Sequence, residues 1–273
     1  MLKKNIETFL GCDAEYAEAK IVLFGAPFDS TTSFRPGARF ASAAMRRESY
    51  GLELYSPYQD RELTDAPRLA SGAIELCLGA PPPPRDAKPP RAPPHHAGGK
   101  HPIHKGREHL VTLGAVRAAA ERYPDLHILH FDAHADLRDD YLGAPLSHAC
   151  VLRRCHEIVG DGRIFQFGIR SGDKSEFEWG KGKVRTHLFD FAGLDEALCA
   201  LEGKPVYLTV DLDVLDPSVF PGTGTPEPGG GSFDELRRAL QACCERARIV
   251  GADVVELSPH YDASGASTAV ACK

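Results

Sequence analysis

Ile128-Leu129-His130-Phe131-Asp132-Ala133-His134-Ala135-Asp136 is the stretch on which the reading of this chain turns. A short, largely apolar run, as strands covered on both faces are, ends in an aspartate. Three donors follow, Asp132, His134 and Asp136, at i, i+2 and i+4, so an extended strand end would turn all three to one side. Burying two carboxylates with an imidazole is costly unless a cation neutralises them. A solvated Asp/His turn is the competing reading at this point.

Working outward, similar runs recur at Lys20–Gly25, Ile164–Gly168, Val206–Asp211 and Ile249–Glu256. Between them, Leu110–Arg122 carries apolar residues at helical spacing. Ser232 opens another helix as N-cap, with Glu235 completing a capping box. Alternating strand and helix predicts an α/β sheet with helices on both faces and ligands at the carboxyl ends of its strands. A second acidic pair, Asp211 and Asp213, stands at one such end; Asp216, before Pro217, reads as a turn residue. Two acidic clusters would repel each other in an empty site, and divalent ions resolve the repulsion. Four aspartates and one histidine without a thiolate favour Mn²⁺, and five donors suit a pair of ions about 3.5 Å apart with a bridging hydroxide. Glu256, ending another apolar strand, suits a planar guanidinium held by both oxygens. His148, in a loop after the first cluster, suits proton transfer.

The whole chain sets the frame. Its 273 residues carry 32 Lys+Arg against 38 Asp+Glu, a formal net charge of -6. That length suits one large α/β domain, and the charge argues against phosphate-neutralising nucleic-acid binding. No apolar run has membrane-spanning length, and Met1–Glu7 lacks signal-peptide character; the expectation is a soluble, cytoplasmic protein. Eight cysteines without a Cys-x-x-Cys pair read as reduced, mostly buried thiols. Eight prolines between 81 and 94 mark an irregular segment spanning about 79–105 and interrupting a single domain. Its histidines, 95, 96, 101 and 104, resemble a metal tract by composition only.

The spaced motifs resemble the ureohydrolase (arginase/agmatinase) family: Gly106-Arg107-Glu108-His109, Asp132–Asp136, Ser147-His148-Ala149, Asp211–Pro217, Glu256–Pro259, Arg35–Arg39 and Gly222–Gly230. The resemblance implies an arginase-like three-layer α/β/α fold, a mainly parallel sheet of about eight strands, and two Mn²⁺ per subunit. By motif position, one ion falls to His109, Asp132, Asp136 and Asp211. The other falls to Asp132, His134, Asp211 and Asp213, with Asp132 and Asp211 bridging. Glu256 takes the place of the guanidinium-binding acid and His148 that of the proton shuttle. The implied reaction cleaves agmatine, a small cationic guanidino substrate, to putrescine and urea. Arginine, guanidinobutyrate and formimidoylglutamate are alternative substrates, Arg138 being a candidate partner for an acidic one. A catalytically impaired metal-binding relative is the other alternative. The resemblance also implies a trimer or hexamer, and neither a nucleic-acid nor a membrane partner.

Three departures stand out. Arg107 replaces the second glycine of the family pattern, the tract before it looks scrambled, and the chain stops where the family continues into a closing helix. Bulk and charge at Arg107 are expected to weaken the site around His109. Arg107→Gly should therefore raise bound manganese per chain, measured by elemental analysis; equal occupancy would refute the effect.

Overall fold

The computed structural model describes residues 8–25, 27–65, 69–73 (backbone only), 100–106 and 108–273. Its strands are β1 (Ile21–Gly25), β2 (Tyr55–Ser56), β3 (Arg61–Glu62), β4 (Leu69–Ala73), β5 (His101–Lys105), β6 (His127–Phe131), β7 (Ile164–Ile169), β8 (Val184–Leu188), β9 (Pro205–Asp211) and β10 (Arg248–Val255). The helices are α1 (Ala41–Glu48), α2 (Thr112–Arg122), α3 (Val151–Val159), α4 (Lys174–Gly180), α5 (Leu194–Ala200), α6 (Phe233–Arg246) and α7 (Ala266–Cys272). Eight strands form one sheet in the order β4-β1-β5-β10-β9-β6-β7-β8, every pairing parallel. β2 and β3 make a separate antiparallel pair.

The strands are apolar on both faces because both are covered. Leu129, Phe131, Phe165, Phe167, Val206, Leu208 and Val210 pack with Leu194, Leu198, Leu236 and Cys243 from α5 and α6. The alternating positions Ile128, Ile164, Tyr207 and Val250 pack with Leu113, Val116, Leu152 and Cys155 from α2 and α3. Period-two alternation thus divides the core into two halves and makes three layers. The capping box expected at Ser232 is present: Ser232 N–H donates to Glu235 Oε2 at 2.8 Å, and Glu235 N–H to Ser232 Oγ at 3.3 Å. Among the described residues no cysteine is paired; Cys12, Cys150, Cys155 and Cys243 are buried, while Cys199 and Cys244 are exposed.

One boundary is corrected. The segment read as irregular to 105 becomes strand at His101–Lys105, between β1 and β10. A proline inside a sheet looks forbidden, but Pro102 sits where its missing donor costs nothing. His101 N–H donates to Lys20 O on the β1 side, so the next nitrogen faces β10, whose pairing with β5 begins only at Ile103. His101 and His104 lie in this strand, His101 exposed and His104 buried. Arg107, His95 and His96, and residues 79–99 of the proline-rich stretch, lie outside the described residues. Among those described, no helix is long and apolar enough to cross a membrane.

Lys105 is buried, with its Nζ 3.7 Å from the centre of the Phe9 ring and without a hydrogen-bond partner among the described residues. Burial pushes its ammonium down to about 8 from 10.5. The unfolded chain therefore holds a proton that the folded chain sheds between these values, so this group's penalty lifts as pH rises from about 8 to 10.5. Below pH 8 the penalty is in full force. Lys105→Met should stabilise the protein at pH 7 by up to about 3 kcal/mol and flatten the alkaline rise in denaturant-melt stability. Unchanged stability would contradict it.

Candidate metal centre and pocket

The carboxyl ends of β10, β9 and β6, adjacent in mid-sheet, open into one pocket. Its lining includes His109, His134, Asp136, Asp211, Asp213, His148 and Glu256, so seven of the eight residues singled out above come together there. The eighth, Asp132, is completely buried beneath them.

The route by which they converge differs from the one expected. β6 ends at Phe131, and the next residues are not extended strand. His134 N–H turns back onto Asp132 Oδ1 at 2.6 Å, and Asp136 takes a left-handed backbone, φ 53°. Asp211 likewise caps a 3-10 turn over Leu212–Val214, accepting from Asp213 N–H at 2.9 Å. Each aspartate pair is thus gathered by a turn whose own amide binds a carboxylate, not by strand alternation. Glu256 also sits at positive φ, 63°, and accepts His109 N–H at 2.7 Å. Two non-glycine residues held in this sparsely populated region, both facing one pocket, mark it as functional. Asp216 is the turn residue expected, accepting from Ser218 N–H and Gly229 N–H.

The donor set fits a cation. Nδ1 of His109 has carboxylate oxygens of Asp132, Asp136 and Asp211 at 3.1, 3.1 and 3.3 Å, yet none is aligned as a hydrogen bond. Two segments aim oxygens around one buried nitrogen from a third, as ligands around a common centre do. With its proton on Nε2, donated to Thr209 Oγ1 at 3.0 Å, His109 presents the Nδ1 lone pair. On the other side His134 Nδ1 lies 3.1 Å from Asp213 Oδ2 and 3.5 Å from Asp132 Oδ1. Two His/Asp groups could therefore each hold a metal ion, and they share Asp132. Burial, then the neighbouring Asp213 and Asp132, pushes the Asp211 carboxyl well up, and burial raises Asp213 too. Burial opposes a proton on His109, but the three carboxylates outweigh it and hold the imidazole well above its usual range. A divalent cation would take the place of these protons.

Several participants were not read from the sequence. His130 belongs geometrically to the first group, its Nε2 2.8 Å from Asp132 Oδ2. Its Nδ1 accepts from Gln166 Nε2 at 3.0 Å, and the Gln166 amide is itself fixed by Ala135 O and Thr186 Oγ1. That leaves the proton on Nε2, so His130 donates to Asp132 and orients it instead of ligating. The only signal in the sequence was a histidine inside a strand two residues before the cluster. Glu108 is fully buried and accepts from Thr31 N–H (2.9 Å), Thr31 Oγ1 (2.6 Å) and Thr32 Oγ1 (3.1 Å). Burial nevertheless raises its carboxyl to about 7. The tethered Thr31 accepts from His148 Nδ1 at 3.0 Å through its carbonyl and from His148 N–H at 3.2 Å through its hydroxyl. A carbonyl only accepts, so Nδ1 of His148 carries the proton and Nε2 is an acceptor, with the Ser33 hydroxyl at 3.5 Å. Burial lowers His148 below its ordinary range. Arg170 donates to the carbonyls of Gly168, Asp213, Val214, Leu215, Glu227 and Pro228, clamping the Asp213 turn to the Gly222–Gly230 run.

A parallel sheet between helical layers, with buried His/Asp groups able to hold metal ions at its carboxyl edge, defines an α/β/α hydrolase with a candidate metal centre. The chain belongs to the arginase family, whose model matches residues 19–273. It is 43% identical to an agmatinase of Bacillus anthracis over 98% of this chain and 93% of that one. An N(1)-aminopropylagmatine ureohydrolase of Thermococcus kodakarensis is 38% identical over 89% and 84% of the two chains. The crystal structure of an agmatine ureohydrolase from Thermoplasma volcanium superposes with a TM-score of 0.83 at 33% identity, covering 98% of this chain and 91% of that one. These likenesses make the chain a ureohydrolase enzyme.

Gln166→Leu removes no ligand but frees His130 and hence Asp132. Metal affinity, measured by calorimetric titration, should fall roughly 10–100-fold, with a lowered melting temperature because the hydrogen bonds to Ala135 and Thr186 are lost as well.

Proposed function

We propose that the chain is a binuclear manganese ureohydrolase cleaving agmatine to putrescine and urea. The observation that carries this reading is the sharing of Asp132 between two His/Asp groups on the floor of a pocket walled by Glu256 and His148. His109, Asp132, Asp136 and Asp211 would hold one ion, and Asp132, His134, Asp211 and Asp213 the other. The all-nitrogen-and-oxygen donor set suits Mn²⁺. When bound, the ions supply a water activated for attack at neutral pH.

The remaining work falls to the chain. Burial and the nearby Glu108 push the Glu256 carboxyl well up, so a partner of opposite charge is favoured beside it. A guanidinium supplies that charge and donates to both oxygens. His148, neutral and with Nε2 unprotonated, accepts a proton there and returns it to the departing amine, its ring held by Thr31. Agmatine is favoured because its relatives include enzymes named for agmatine and for aminopropylagmatine, both bearing amine tails.

Urea release from agmatine by the Mn²⁺-loaded protein is the direct test. His148→Asn should lower kcat about 10²–10⁴-fold with bound manganese unchanged, and Glu256→Gln should raise KM as well. No urea from any guanidino compound, with two manganese ions bound, would instead favour the impaired relative.

A further inference from the structure

One short turn meets both nitrogens of the His148 ring. The Thr31 carbonyl accepts from Nδ1 at 3.0 Å, and the Ser33 hydroxyl stands 3.5 Å from Nε2. The turn is fixed in its own right. Glu108, fully buried, accepts from Thr31 N–H, Thr31 Oγ1 and Thr32 Oγ1, and Thr31 Oγ1 accepts in turn from His148 N–H. Beyond Ser33, Asp29 accepts from Gly37 N–H at 2.8 Å and Pro36 O accepts from Tyr261 OH at 3.0 Å. The turn thereby sets the tautomer of His148. With Nδ1 donating, Nε2 only accepts, so the Ser33 hydroxyl donates to it and keeps its own lone pairs for another donor. Ser33 is exposed and lines the pocket, whereas His148 is half-buried. A separation of 3.5 Å is long for a hydrogen bond, as catalytic contacts commonly are before substrate arrives.

We propose that Ser33 is a further catalytic residue, a hydroxyl relay that carries protons between solvent and Nε2 of His148. This rests on the ureohydrolase reading above and adds to it the route by which the proton-transferring imidazole is reloaded. In that reaction the water oxygen bonds to the guanidinium carbon and the carbon–amine bond breaks. The departing amine ends with two more protons than its nitrogen held within the guanidinium. Water made reactive at neutral pH has already lost one of its protons to solvent, so one proton must return from outside in every turnover. A serine hydroxyl suits that transfer because it donates and accepts at the same atom. Ser33 Oγ takes a proton from a water or buffer acid at the pocket mouth as it passes its own to Nε2, and the hydroxyl is unchanged at the end. Nε2 then gives that proton to the amine.

The experiment is Ser33→Ala in the Mn²⁺-loaded protein, with urea release from agmatine followed at constant pH and ionic strength. Ser33 is exposed, so the substitution opens no cavity. It should lower kcat about tenfold, less than the loss of His148 itself, with KM and bound manganese unchanged. Added imidazole should restore kcat in proportion to its concentration, as a dissolved acid takes over the relay, and should leave the parent protein unaffected. In a His148→Asn background Ser33→Ala should cost nothing further, since the relay has no imidazole ring to serve. An unchanged kcat, a loss that imidazole leaves in place, or a further loss in the His148→Asn background would each overturn the proposal. A parent that releases no urea refutes the function proposed above and the relay with it, whereas an active parent with an unaffected Ser33→Ala variant refutes the relay alone.

Discussion

Five carboxylates, those of Asp132, Asp136, Asp211, Asp213 and Glu256, occupy one nearly dry volume, and the surrounding architecture answers the cost of putting them there. Backbone amides do much of the answering. His134, Asp213, Ala133 and His109 each turn an N–H onto one of these acids. Parallel strands make this possible by ending side by side, so that each following turn offers its amides at the same level. What the amides leave uncompensated is net negative charge, a demand that divalent cations meet.

The arrangement separates holding from reacting. Residues deep in the sheet, His130, Gln166 and Thr209, fix the orientation of Asp132 and His109 from behind the pocket. Residues on the loops, His148 and Glu256, face the space where a substrate would lie. Glu108 spans the two levels. Its carboxylate fastens the Thr31 turn that orients His148, while the next residue, His109, donates its amide to Glu256. Stiff scaffolding of this kind keeps reacting groups in register without spending substrate-binding energy on ordering them.

Much of this was legible in the sequence, and the reasons for the rest are physical. The buried strands around Ile128, Ile164 and Val206 announced themselves by continuous apolar character, and both acidic clusters by their place at strand ends. The convergence of Asp132, His134 and Asp136 was foreseen, but by alternation along a strand; it arises from a turn and a positive φ, which no periodicity encodes. β5 was hidden because Pro102 looks incompatible with a sheet until the direction of its nitrogen is known. His130 resembles any strand residue, and only its contact with Gln166, 36 positions away, reveals its tautomer. Arg138 read as a candidate partner for an acidic substrate because its own partners, Asp173 and Glu176, are distant in sequence.

The place of β10 in the sheet has a consequence for biosynthesis. It lies between β5 and β9, joining β4-β1-β5 on one side to β9-β6-β7-β8 on the other. Until residues 248–255 leave the ribosome, the nascent polypeptide holds two half-sheets, each with an open edge available to the wrong neighbour. His109 follows one half, the four aspartates follow the other, and Glu256 follows the keystone strand itself. Closure of the sheet and completion of the reactive centre are therefore a single late event, and no partly translated intermediate can be active.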